Sequence, residues 1–463
     1  MLVLNRSWLL GYVLAGLCFA AGAQTSAPIV DVPALAPTPP LGWNSWDSYG
    51  LSITEAEFKS NVEWFHQHLE PYGWQYVVVD EGWYLAHPEN AETKGADQGY
   101  TLSPDGRYLP AVNRFPSSAN DQGFKTLADY AHSLGLKFGI HIIRGIPKEA
   151  VDKNLPIADS PYHAADAADR SDLCRWNSDN YGLKNNAAGQ AYYNSIARLY
   201  AGWGIDFVKV DCISKPYQAD EIHMMSAALK KTGRPIVLSL SPGPTPLEDA
   251  DDVVRHAQLW RISDDMWDVW SKKPGAGDFP QSLTNQFALL ARWRPYAAPG
   301  HWPDADMLPI GYLGPRPGWG SPRQSRFTPD EARTLLTLWS IARSPLILGA
   351  NLTRIDAQTE SLLTNREVLA VDQHSTDNHP VIETDDTVIW TARLESAHAA
   401  SAHIVAAFNL SDQPQKITYT WNKLGLDKQT YRLRDLWQQK NAGSEPSLEV
   451  NLPPHGCALY SLQ

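Results

Sequence analysis

Between Pro39 and about residue 380 the chain alternates between two hydrophobic periods. Apolar residues three and four apart mark helices, and short unbroken apolar runs mark strands buried on both faces. Thr54 and Glu57 form a capping-box pattern ahead of Phe58, Val62, Phe65 and Leu69, which predicts a helix over 54–69. The run Tyr76–Val79 predicts a strand that ends in Asp80. The pattern repeats as helix Phe124–Leu134, stopped by Gly135, and strand Phe138–Ile142. Helix Gln190–Trp203 then leads into strand Ile205–Asp211, and helix Glu221–Lys231, broken at Gly233, into strand Ile236–Leu240. Leu259–Ile262 reads as one more strand. Repeated strand–helix units imply a parallel sheet, and this many favour a closed (β/α)8 barrel, a TIM-type α/β fold, over an open one. No G-x-G-x-x-G follows the first strands, which argues against a dinucleotide-binding sheet.

The pattern changes near residue 380. Val388–Leu394, Ile404–Asn409, Ile417–Trp421, Tyr431–Leu436 and Ala458–Leu462 are short strands with polar turns between them. They predict a small C-terminal antiparallel β-sandwich domain over 381–463, after a barrel over 39–380. Ahead of the barrel, Arg6 is the only charge before an apolar stretch from Trp8 to Ala21, and Ala21-Gly22-Ala23 offers an A-x-A cleavage site. Residues 1–23 therefore read as a signal peptide and 24–38, rich in Ala, Pro and Thr, as a flexible leader. A secreted or periplasmic protein with no membrane attachment after cleavage is expected.

Composition narrows the function. A formal charge of -12 disfavours nucleic acid and anionic membranes. A neutral substrate such as an oligosaccharide or a polysaccharide side chain suits it better, and the 18 Trp and 19 Tyr include possible stacking platforms for sugar rings besides core residues. Neither C-x-x-C nor H-E-x-x-H occurs, so neither a cofactor nor a metal is expected. Removal of the signal leaves Cys174, Cys212 and Cys457, which allow at most one bridge and one leftover thiol. Cys174–Cys212 is the plausible pair.

Candidate chemistry lies where strands end, as is usual for this barrel. Tyr76–Val79 runs into Asp80-Glu81, Ile205–Val210 into Asp211, and the strand through Trp260-Arg261 into Asp264-Asp265. Period-2 geometry puts Lys209 on the same side as Asp211. A retaining glycosidase needs two carboxylates about 5–5.5 Å apart, one as nucleophile and one as acid/base. A lone Asp is more often a cap or a surface ion-pair partner; several at successive strand ends, with Lys and Trp beside them, point toward catalysis. A metal-dependent hydrolase needs His at strand ends, and only His141 is so placed. A non-catalytic carbohydrate-binding barrel is the reading from another class, and it predicts a lost nucleophile or acid.

The segments Pro39–Trp46, Asp80–Trp83, Trp203–Asp211, Arg261–Asp265 and Trp302–Leu308, in that order, resemble glycoside hydrolase family 27, the α-galactosidases and α-N-acetylgalactosaminidases, in a divergent bacterial-type form. Pro39-Pro40-Leu41-Gly42-Trp43-Asn44-Ser45-Trp46 is similar to that family's opening strand, and Asp80-Glu81-Gly82-Trp83 to its paired-acid strand end. Trp203–Asp211 resembles its W-G-x-D-x-x-K-x-D nucleophile strand, Arg261–Asp265 its R-x-x-x-D acid/base segment, and Trp302–Leu308 its W-x-D-P-D-M-L stretch. Ser344–Ile347 and Asn365–Gln373 also match. The resemblance implies Asp211 as nucleophile and Asp265, four residues past Arg261, as acid/base in preference to Asp264. It implies a sugar subsite lined by Trp43, Asp80, Glu81, Lys209 and Arg261, and hydrolysis of terminal α-galactosyl residues by double displacement with retention.

Departures from the family pattern bear on the sugar. Glu81 stands where Asp is usual and is one methylene longer. Leu240-Ser241-Pro242-Gly243 replaces a C-E-W segment whose Glu contacts the 2-hydroxyl, and Glu248 is a candidate substitute. His141 replaces a Tyr expected at the pocket wall, or else is a core histidine bonded to backbone. Cys212 follows the nucleophile by one position where the family has a cysteine at two. The segment 146–181, which carries Cys174, Trp176, Asn177 and Asn180, is long and predicts a loop overhanging the site. These changes keep a β-L-arabinopyranoside, an α-N-acetylgalactosaminide or an isomalto-type α-glucan open as alternative substrates.

Overall fold

The computed structural model describes residues 35–91, 93, 97–273, 275, 277, 279–314, 321–395 and 401–463. The expected signal peptide and the leader as far as residue 34 lie outside them. Eight parallel strands form the central sheet: β1 (Leu41–Asn44), β2 (Tyr76–Val79), β3 (Lys137–Ile143), β4 (Phe207–Asp211), β5 (Val237–Leu240), β6 (Leu259–Arg261), β7 (Trp302–Asp304) and β8 (Leu346–Leu348). Neighbours in the sheet run β7-β6-β5-β4-β3-β2-β1-β8, the order of the chain with β8 returning to β1. Leu308, four residues past β7, bridges in parallel to Leu348 and draws the two ends of the sheet together. No helix among the described residues is long and apolar enough to cross a membrane.

Alternation along the strands sorts side chains into two sets. On β4, Val208 and Val210 face the surrounding helices and join the large core, while Phe207 packs inside the barrel with Tyr76, Val78, Val237, Leu259 and Trp302. Lys209 and Asp211 share the inner side with Phe207 and stand progressively nearer the C-terminal mouth. Gly139 has no side chain where it faces this interior, because a Cβ there would lie 2.9 Å from Val78 Cγ2 and 3.0 Å from Phe207 Cβ. Ala36 was expected in a flexible leader. It is instead buried at the opposite end, where its carbonyl accepts bonds from the Trp302 indole (2.8 Å) and the Gly300 N–H (3.0 Å).

The predicted helices occur with ends shifted by a few residues: Glu55–His68, Lys125–Ser133, Ala187–Trp203 and Ala219–Lys231. The Thr54–Glu57 capping box is formed. The C-terminal domain holds a six-stranded antiparallel sheet facing a two-stranded one. Its first strand, Ser375–Glu383, begins before the expected boundary and carries Asp, Asn, His and Pro that hide it from a hydrophobic pattern. Ile389, Val405 and Ala407 face the small sheet, and their neighbours Val388, Trp390, Ile404 and Phe408 face the barrel's helices.

Candidate active site

The C-terminal ends of the barrel strands surround a cavity of about 500 Å³. Asp80, Lys209, Asp211, Arg261 and Asp306 form its floor, with Glu81, Trp46 and Asp47 on one side and Asp264, Asp265 and Met266 on another. Asp80 follows β2 and is the hub. Its Oδ2 accepts from Asn44 Nδ2 (2.6 Å) and Lys209 Nζ (3.0 Å), and its Oδ1 from the Glu81 N–H (2.8 Å). Burial works against its ionisation, but His141 and Lys209 outweigh it and hold the carboxyl down at about 2. Lys209 is largely buried, which pulls its pKa down, but its carboxylate neighbours Asp80 and Asp211 outweigh that and push it up.

Asp211 sits at the end of β4 with 15% of its side chain exposed. Its Oδ1 accepts the Cys212 N–H (2.5 Å) and its Oδ2 lies 3.3 Å from His141 Nε2. His141 is buried below the cavity, on β3 beside Lys209, and its Nδ1 has no hydrogen-bond partner. Burial pulls its pKa down, but Asp80 and the bond to Asp211 win and raise it. Asp265 is more open, at 33%, and accepts from Arg261 NH2 (3.1 Å). The same guanidinium nitrogen lies 2.7 Å from Asp306 Oδ2. Asp264 also lines the cavity, but Lys215 Nζ holds it at 2.8 Å. Of the two, Asp265 is the more open, 33% exposed against 15%, and so the better placed to meet a leaving group.

Glu81 is held differently from Asp80. Asn177 Nδ2 donates to its Oε1 (2.8 Å), and burial, with Asp211, Asp179 and Asp80 adding and His141 opposing, pushes its pKa up to about 7. Asn177 comes from the predicted overhanging segment. That segment folds as a three-stranded sheet of Ile146–Pro147, Ala168–Leu173 and Asn180–Leu183 with short helices between. A disulfide joins Cys174 to Cys212, with their Cα atoms 5.9 Å apart. Beyond it, Asp179 accepts the hydroxyls of Tyr84 (2.7 Å) and Tyr100 (2.5 Å). Cys212 and Asp306 both adopt positive φ, 61° and 89°, a conformation that costs energy away from glycine and concentrates at functional sites.

Two expected subsite residues are placed elsewhere. Trp43 points outward from β1 because Asn44 takes the inner position. It is fully buried, and its indole donates to the Ala350 carbonyl (2.7 Å). Trp46, three residues on and past the strand, lines the cavity instead. His141 does face the barrel interior but does not line the cavity. Glu248 is exposed on a short 3-10 helix and does not reach it either, so Ser241 and Pro242 form that wall. Sequence reasoning missed Asp47 altogether. It is buried with its Oδ2 unpartnered, and burial, with Asp306 adding, raises its pKa well above the usual range.

Metal-type ligands meet in two places among the described residues. Glu81, His141 and Asp211 form one group and His223, Asp252 and His256 the other. In the first, hydrogen bonds already account for the approach of His141 and Asp211, and one histidine among carboxylates is a poor zinc set.

Comparisons place this geometry among known proteins. Residues 180–374 match the family described as alpha galactosidase A, and 384–462 match the alpha galactosidase C-terminal beta sandwich domain. The fold is similar to the crystal structure of a GH27 β-L-arabinopyranosidase from Geobacillus stearothermophilus, with a TM-score of 0.85 and 44% identity over 93% of this chain and 97% of that one. The α-galactosidase of Cyamopsis tetragonoloba is 27% identical over 92% of this chain and 87% of its own. The α-N-acetylgalactosaminidase of Gallus gallus is 27% identical over 92% of this chain and 94% of its own.

Proposed function

The chain belongs to glycoside hydrolase family 27 and is a glycoside hydrolase, and from that premise we propose that it releases terminal β-L-arabinopyranosyl residues with retention of anomeric configuration. Asp211 attacks the anomeric carbon, and Asp265 protonates the departing glycosidic oxygen. The ring is then held as a glycosyl-aspartate ester. Asp265, now a carboxylate, takes a proton from water as that water attacks the same carbon, which frees Asp211. The placement of the two acids supports these roles. The backbone N–H and His141 keep both oxygens of Asp211 oriented, and Asp265 stands on the more exposed side, where a leaving group departs.

Glu81 carries the choice of sugar. L-Arabinopyranose in its β form shares the ring stereochemistry of α-galactose but lacks C6. A Glu reaches one methylene further into the cavity than the Asp usual at this place, and Asn177 fixes its carboxyl there. That favours a ring with no hydroxymethyl arm. The 44% identity to the Geobacillus arabinopyranosidase, against 27% to the Cyamopsis α-galactosidase, supports the same preference. α-Galactoside hydrolysis is the second reading, since the rest of the floor is that of the family. The test is a set of 4-nitrophenyl glycosides: β-L-arabinopyranoside, α-galactoside and α-N-acetylgalactosaminide. The first is expected to give the highest kcat/KM, with the β anomer of arabinose seen first by proton NMR. A higher value on the galactoside overturns the sugar, and first appearance of the opposite anomer overturns the mechanism.

A further inference from the structure

We propose that the mouth of the cavity is an aglycone subsite for a second sugar ring, bordered by Trp176 and Phe279; the proposal rests on the reading of Asp211 and Asp265 as the glycosidic pair. The cavity is graded by depth. Asp80 and Arg261 are sealed at the strand ends, Lys209 and Asp211 are largely buried at 13% and 15%, Asp265 is partly open at 33%, and Trp176 and Phe279 are each 48% exposed. The ring that is cleaved off belongs on the charged floor. The group bonded to it must project past Asp265 toward the exposed aromatics.

Exposed large apolar side chains are informative when they cluster. Among the described residues five large hydrophobic side chains are exposed, and the two aromatic ones both line this cavity. Both are also registered to the reacting groups. Trp176 lies two residues from Cys174, whose disulfide partner Cys212 adjoins Asp211. Its neighbour Asn177 is bonded to Glu81. Phe279 lies two residues from Gln281, whose N–H donates to the Asp265 carbonyl (2.8 Å). Two separate segments thus deliver an aromatic face to the outlet, one tied to the nucleophile and the other to the acid.

The chemistry at the mouth selects a saccharide over an alkyl or lipid group. Sugar C–H faces stack on aromatic rings, and the Lys215–Asp264 pair and Gln98, which line the same cavity, offer hydroxyls both donors and acceptors. A cavity of about 500 Å³ falls in the class of roughly 300–1,000 Å³ that takes a molecule larger than one pyranose ring.

The test separates the two rings. β-L-Arabinopyranosyl fluoride and α-galactosyl fluoride present the floor with a sugar whose leaving group is a single atom. β-L-Arabinopyranosyl and α-galactosyl disaccharides add the second ring. In W176A and F279A, kcat/KM on the disaccharide of the preferred sugar is expected to fall about tenfold, while that on its fluoride stays within about twofold and certifies the fold. Equal losses on both substrates, or no loss on either, overturn the subsite. So does a wild-type protein that hydrolyses the fluoride but no disaccharide. If wild type hydrolyses neither fluoride, the assignment of Asp211 and Asp265 has failed, and the subsite falls with it.

Discussion

Replacing Glu81 with Asp tests the sugar preference at its source. The substitution withdraws the carboxyl by roughly 1.5 Å, one C–C bond. The 2.8 Å bond from Asn177 then stretches beyond hydrogen-bonding range. Losing that bond costs about 1 kcal/mol of positioning for the smaller ring. The vacated methylene volume makes room for a C6 hydroxymethyl, and one methylene in a substrate pocket is worth about 1–3 kcal/mol of discrimination, or 10–200-fold. Both effects push the same way. The ratio of kcat/KM on 4-nitrophenyl α-galactoside to that on the β-L-arabinopyranoside should rise by about 10- to 100-fold in E81D. Initial rates measured with both substrates at one pH decide it, and circular dichroism checks the fold. A ratio that stays within about threefold of wild type, or falls, would refute the idea that Glu81 excludes C6.

Further outcomes follow from the same geometry. On 4-nitrophenyl glycosides D211N should lose nearly all turnover and D265N about 10²–10⁴-fold, whereas D264N keeps turnover because Asp265, the more open of the two acids, delivers the proton; steady-state rates and thermal melts of the three variants check this. C174S should be destabilised by about 4 kcal/mol on a chain-entropy account of the 38-residue separation, measured by urea unfolding with and without reductant. Glu81 keeps its proton in the folded chain up to about pH 7 but loses it near 4.5 when unfolded, so its contribution to stability falls as pH rises through that window. In E81Q the dependence of Tm on pH between 4.5 and 7 should accordingly be shallower. Dialysis against EDTA should leave turnover unchanged in a simple rate assay.

Much of the barrel was legible because its strands are short, apolar and followed by acids. Period-2 alternation alone put Lys209 and Asp211 on one side, and the cavity holds both. The same rule applied to β1 would have sent Trp43 outward, since Asn44 is the residue bonded to Asp80. Trp46 lies past the strand, in a helical turn, where neither period fixes its direction. The segment 146–181 could be read as overhanging, but the bonds of Asn177 to Glu81 and of Tyr84 and Tyr100 to Asp179 join parts of the chain far apart in sequence. Asp47 carried no signal at all, because its character comes from burial against Gly349, where a Cβ would meet its Oδ2 at 2.0 Å. The strand Ser375–Glu383 escaped for a different reason: half-exposed, polar residues give no alternation to count.

With burial holding Asp47, Glu81 and Asp306 toward their protonated forms, the floor carboxylates Asp80, Asp211 and Asp265 still outnumber the cations Lys209 and Arg261. A neutral sugar in its resting state draws little from that imbalance. As the bond to the leaving group stretches, the ring becomes an oxocarbenium-like cation, and only then does the surrounding field have something to attract. The same field makes the cavity a trap for rings that carry their positive charge permanently. A protonated nitrogen-in-the-ring analogue of the preferred sugar should therefore be held far more tightly than the sugar it imitates.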